Sequence, residues 1–130
     1  MPISVWTEYT VREIVELASG KAINIALAHA ERYIGMQSAK TVERLNEAGI
    51  LMQYNADSLL RFGQRKKALK MLARGEIHLI GSDCHNIKSR PPKIGEAYAM
   101  IKNKLGCGFY SYFCEYGYSL LKTKPQTPTF

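Results

Sequence analysis

Five side chains combine residue type and spacing in a way that could do chemistry: His29, Arg32, Asp83, His85 and Arg90. Asp83 and His85 lie two apart in Gly81-Ser82-Asp83-Cys84-His85-Asn86. In extended backbone, residues i and i+2 project to the same face. A carboxylate and an imidazole would then converge, a workable ligand pair for Mn²⁺, Fe²⁺ or Zn²⁺. Water on such an ion becomes hydroxide near neutral pH and can attack an ester. Arg32 and Arg90 could clamp a phosphate through the planar fork of the guanidinium. Each signal also has a plainer reading. Asp-x-His is often a turn with a capping Asp. His29 suits a hydrogen-bonded structural role as well as a ligand role, and His78 suits packing. Arg90 before Pro91 also reads as a surface residue in an extended loop. The conjunction carries more than any one signal: His29 and the Asp83/His85 pair close different apolar segments, and each is followed by an arginine.

The elements that must position these groups follow from hydrophobic spacing. Val11, Ile14, Val15 and Ala18 form an amphipathic helical stripe, which Thr10 could cap and Gly20 could end. Residues 23–28 are a short apolar run of strand length that stops at His29. Ala39, Val42, Leu45 and Ala48 form the next stripe, closed by Gly49, and residues 50–54 read as a second strand ending before Asn55 and Asp57. Residues 64–74 form a third helix closed by Gly75, and residues 77–80 a third strand. Ile94, Ala97, Tyr98, Ile101 and Leu105 mark a further helix, and Phe109, Phe113, Tyr116 and Leu120 a last one rich in aromatics. The order α-β-α-β-α-β-α-α predicts an α/β fold with about three parallel strands joined by right-handed crossovers. Functional groups in such folds gather at the C-terminal ends of the strands, where all five residues fall.

The chain has 130 residues, room for one domain. With 46% hydrophobic and 22% charged residues it reads as globular rather than disordered. No apolar run reaches the ~20 residues of a membrane span, and no secretory leader is visible, so a cytoplasmic protein is expected. The net charge of +7 suits anionic partners. Arg65, Lys66, Lys67, Lys70 and Arg74 contribute to it, but the apolar residues between them mark a solvated helix face. No nucleic-acid-binding signature accompanies them. Cys84, Cys107 and Cys114 form neither a disulfide framework nor a zinc spacing, and read as buried or incidental thiols.

The segment Leu27-Ala28-His29-Ala30-Glu31-Arg32-Tyr33 resembles the AHPERY motif of the PHP (polymerase and histidinol phosphatase) superfamily. The likeness is to its bacterial protein-tyrosine phosphatases of capsule and exopolysaccharide synthesis. Gln53-Tyr54-Asn55-Ala56, then Ser58-Leu59 and Phe62-Gly63, is similar to the next strand and turn of that branch. Ile77-His78-Leu79-Ile80 running into Gly81-Ser82-Asp83-Cys84-His85-Asn86, with Arg90-Pro91-Pro92, is similar to its last metal motif, and Glu96-Ala97-Tyr98 continues the match. The likeness spans residues 10–121. It implies a TIM-like (PHP) barrel, metal ligation by His29, Asp83 and His85, and phosphate binding by Arg32 and Arg90. Asp83 and His85 would carry the catalysis. The metal would be manganese, with iron and zinc as alternatives, and the substrate the phosphotyrosine-rich tail of a polysaccharide-synthesis kinase. No cysteine nucleophile would be needed.

The sequence departs from the family pattern upstream. The family opens with an HxH motif and supplies further His and Glu ligands before its HxERY strand, whereas no histidine precedes His29 here. Glu13 and Glu16 lie on the first helix and are poor substitutes. Residues 1–122 are therefore expected to be the C-terminal part of a PHP domain, a partial barrel, with residues 123–130 as a tail. The metal cluster would be incomplete. The chain would be a truncated or fragmentary phosphatase whose Met1 is internal to a longer parent, and it would pair with its missing half or form an oligomer. The alternative is a catalytically inactive fragment that serves as a binding or pairing module.

Overall fold

The computed structural model describes residues 3–20, 23–89 and 91–122. Helix α1 spans Glu8–Ser19. Its N-cap is Thr7, whose hydroxyl accepts the Thr10 amide at 3.2 Å. The cap thus lies three residues before the expected Thr10. The apolar stripe marks where the helix meets the core, which is one turn after the helix begins. Gly20 closes the helix as anticipated. Val11 is buried, with Ile14, Val15 and Ala18 packed beside it.

Strand β1 is only Ala26–Leu27, shorter than the apolar run that announces it. A four-residue helix α2, Glu31–Ile34, follows at once. Helix α3 spans Ala39–Glu47, capped by Ser38 and followed by Gly49 at φ 75°, a left-handed turn that glycine enters without cost. Strand β2 is Leu51–Asn55. The short α4, Ala56–Leu60, leads into α5, Phe62–Ala73, whose Lys66, Lys67 and Lys70 are exposed while Ala68 and Leu72 are buried. Strand β3 is Leu79–Gly81, and helices α6, Ile94–Leu105, and α7, Cys107–Lys122, complete the order.

The architecture is α/β, with three parallel strands in the order β1-β2-β3. The register is staggered. Strand β1 pairs with the start of β2, Ala26 opposite Leu51, and β3 pairs with its end, Gln53 opposite Leu79 and Asn55 opposite Gly81. Such displacement from strand to strand is how sheets coil about a barrel axis. Met52, Tyr54 and Ile80 are buried beneath the helices, among Leu45, Leu59, Leu72, Ala97 and Ile101. The opposite face of the sheet, with Leu51, Gln53, Leu79 and Gly81, is only partly covered. Among the described residues no further strand pairs with the outer edges of β1 or β3, and no helix is long and apolar enough to cross a membrane. All three cysteines are free thiols, with Cys84 and Cys107 exposed and Cys114 half-buried, so none is a core residue. The tail 123–130 lies outside the described residues.

The two helices absent from the sequence reading, α2 and α4, sit directly after β1 and β2. A segment of four or five residues contains one turn and no periodicity to detect. These turns are what aim the polar residues at the strand ends.

Candidate functional site

The C-terminal ends of the strands converge on a cavity of about 580 Å³, whose lining includes His29, Arg32, Asp57, Arg61, Asp83 and Lys93. His29 follows β1 and Asp83 follows β3. Both adopt left-handed backbone, at φ 58° and φ 48°. Residues other than glycine enter this region at a cost, Asp and His more readily than most. The turn at each position redirects the side chain over the end of the sheet. His29 Nε2 comes within 3.8 Å of Asp83 Oδ2 as a result.

Glu31 ties the end of β1 to the end of β2. Its Oε1 accepts the Ser58 hydroxyl at 2.8 Å and the Asn55 amide at 3.1 Å. The Ala30 amide adds a backbone bond to Gln53 O at 2.9 Å. Oε1 also lies 3.0 Å from His29 Nδ1, without hydrogen-bond alignment, so Nδ1 and the second oxygen, Glu31 Oε2, are buried without a hydrogen-bond partner among the described residues. A buried carboxylate this close to an imidazole restricts the ring to a narrow set of orientations.

The Asp83/His85 pair is arranged otherwise than expected. The premise of extended backbone fails at Asp83, whose φ of 48° turns the chain. His85 folds back, placing Nδ1 2.8 Å from the carbonyl oxygen of Asp83 and 4.0 Å from its carboxylate. Among the described residues no group of three or more His, Cys, Asp and Glu side chains could hold a metal ion. His29 and Asp83 offer two facing donor atoms, but the residues present do not fit a metal cluster.

Arg32 lines the cavity and its guanidinium has no ion-pair or hydrogen-bond partner among the described residues. Arg90 lies outside the described residues. Two cations that the sequence reading passed over stand in the same wall. Lys93 Nζ donates to Asp57 Oδ1 at 2.9 Å, and Arg61 donates to Oδ2 at 3.3 Å. The Lys93 hydrogen bond foremost, then its charge and Arg61, hold the Asp57 carboxyl below its ordinary value against the opposing effect of burial. No short motif contains Asp57, Arg61 and Lys93. The chain signals only that each follows a strand or precedes a helix.

Comparison with known proteins now decides the family. The model of a family described as capsular polysaccharide synthesis, CpsB/CapC, matches residues 6–119. The chain belongs to the CpsB/CapC family. Among the curated CpsB proteins it is 34% identical over 93 residues to the tyrosine-protein phosphatase CpsB of Streptococcus pneumoniae, covering 65% of this chain and 38% of the relative. To the CpsB of Streptococcus agalactiae it is 32% identical over the same length. The fold is similar to a solved structure from a study of YwqE from Bacillus subtilis and CpsB from Streptococcus pneumoniae, which that study describes as metal-dependent tyrosine phosphatases. The TM-score is 0.78 at 23% identity, over 95% of this chain and 51% of the other. The expected resemblance to PHP-type phosphatases and the expected partial α/β architecture therefore hold. The match covers 38% of the curated relative, and the chain as a whole covers about half of the solved structure it resembles.

Proposed function

We propose that this chain forms the phosphate-holding part of a phosphotyrosine-protein phosphatase that acts in capsular or exopolysaccharide synthesis. The observation that supports it best is the meeting of His29 and Asp83, from non-adjacent strands, in one cavity with Arg32, whose guanidinium has no partner among the described residues. Arg32, with Arg90, would bind the non-bridging oxygens of a phosphoryl group, the bidentate geometry a guanidinium favours. His29, Asp83 and His85 would face the ester, where side chains of this kind ligate divalent ions, manganese foremost and iron or zinc as alternatives. Because the described residues gather no group of three ligands, no step is derived through a metal from this chain alone. Completion of the site would come from a complementary polypeptide or a second subunit. The substrate would be a tyrosine-phosphorylated protein, such as the tail of a polysaccharide-synthesis kinase, met in the cytoplasm.

The same lack of a third ligand favours one alternative, a binding or pairing module that holds a phosphorylated segment without hydrolysing it. Phosphate release from a phosphotyrosyl peptide separates the two. It would be measured with Mn²⁺ on the chain together with a polypeptide supplying the remaining length of its relatives. The expected result is turnover that falls about 10²-fold or more in Asp83→Ala and in Arg32→Ala. Peptide binding without turnover would favour the module, and turnover unaffected by both substitutions would overturn the site.

A further inference from the structure

Asp57, on α4, holds two cations: Arg61, four residues on at the junction of α4 and α5, and Lys93, from the residue before α6. Around Asp57 two positive charges face one carboxylate, with Glu96 near Lys93 and with Glu31 and Asp83 elsewhere in the same cavity. Arg61 spends one of its five donors on Asp57 and Lys93 one of its three. Their side chains are 65% and 38% exposed, so the other donors are reachable from solution. Exposed ion pairs of this kind contribute little to folding, and an anion arriving from outside could share both cations with Asp57. Pro91 and Pro92 fix φ immediately ahead of Lys93. Arg61 is anchored by its carbonyl, which accepts the Gln64 amide at 3.0 Å and the Arg65 amide at 2.9 Å. Both cations therefore stand on constrained backbone, in the same cavity as Arg32.

We propose that Arg61 and Lys93 form a second anion subsite that reads an acidic group flanking the phosphotyrosine of the substrate, either a carboxylate side chain or a second phosphate. This rests on the phosphotyrosine reading above and deepens it. Arg32 addresses the phosphoryl group common to every substrate, whereas Arg61 and Lys93 select among peptides by their neighbouring charge. Electrostatic complementarity of this sort sets specificity more than raw affinity.

The test is fluorescence-anisotropy titration of the full chain with four labelled peptides. One carries phosphotyrosine between glutamates, one phosphotyrosine between glutamines, one two neighbouring phosphotyrosines, and one unphosphorylated tyrosine between glutamates. The glutamate-flanked or the doubly phosphorylated peptide is expected to bind about tenfold tighter than the glutamine-flanked one. That ratio should fall towards one in Arg61→Gln and in Lys93→Gln. Arg32→Ala should weaken both peptides together and leave the ratio standing. Equal affinity for the acidic and neutral phosphopeptides, or a preference that survives both glutamine variants, overturns the subsite while leaving the phosphotyrosine reading intact. If phosphorylation itself makes no difference to binding, the phosphotyrosine reading and the subsite fall together.

Discussion

His29 and Asp83 face each other across the end of the sheet, Nε2 to Oδ2 at 3.8 Å, although β2 lies between the strands they follow. Each leaves its strand through left-handed backbone, and both line the cavity that Asn55, at the end of β2, also lines. Strain concentrated in two residues of a candidate site is the pattern expected where geometry serves binding rather than stability.

The position of His29 depends on Glu31. Glu31→Ala should leave the Asn55 amide and the Ser58 hydroxyl without their acceptor. A loss of about 1–3 kcal/mol is expected, read by urea denaturation. Glu31→Gln keeps an acceptor oxygen and should lose less. Equal stability of wild type and Glu31→Ala would show that the carboxylate does not tie the strand ends.

Helix α4 is too short to persist alone, and it is held by Leu59, which is fully buried. Leu59→Ala is expected to cost about 2–5 kcal/mol, with thermal unfolding as the measure. A cost below about 1 kcal/mol would place α4 outside the cooperative core.

Gly81 lies under the side chain of Gln53, and a Cβ there would collide with the Gln53 amide nitrogen. That amide donates to Asn55 Oδ1 at 3.2 Å. Gly81→Ala should destabilise by about 1 kcal/mol, since the Gln53 side chain can swing aside at the expense of its hydrogen bond to Asn55. Adding Gln53→Ala should recover part of that loss, and strictly additive effects in the double-mutant cycle would contradict the contact.

Stability should depend on pH through His78. Its Nδ1 accepts the Met52 amide at 2.9 Å, and burial lowers its pKa from 6.5. The neutral ring is the form the fold accepts, so the unfolded chain takes up the proton first. The His78 contribution is present above pH 6.5 and is lost as pH falls through the lower folded-state value. Denaturation at stepped pH should show this loss in the wild type and a weaker one in His78→Gln. An identical pH profile in the two would refute it.

Much of the fold is legible because long amphipathic helices and short apolar runs have distinct periods. Residues 94–105 read as a helix and are α6, bounded as expected. Residues 23–28 read as a strand, yet only Ala26–Leu27 pair, because β2 offers just Leu51 and Met52 to that neighbour. His29 and Asp83 were visible as strand-end residues. Their left-handed backbone was not, since neither is glycine. That single conformational fact changes where His85 points. Lys93 escaped notice because its relation to Asp57 is tertiary, formed across 36 residues, and without it the local Asp57–Arg61 pair reads as an ordinary i,i+4 contact.

The central claim is that the Arg32 cavity holds a phosphorylated tyrosine. Calorimetric titration of the chain with a phosphotyrosyl peptide and its unphosphorylated counterpart tests it most directly. The account predicts binding that requires the phosphate and weakens by about tenfold or more in Arg32→Ala, the loss of a hydrogen bond to a charged group. Equal affinity for the two peptides, or undiminished affinity in Arg32→Ala, would contradict it.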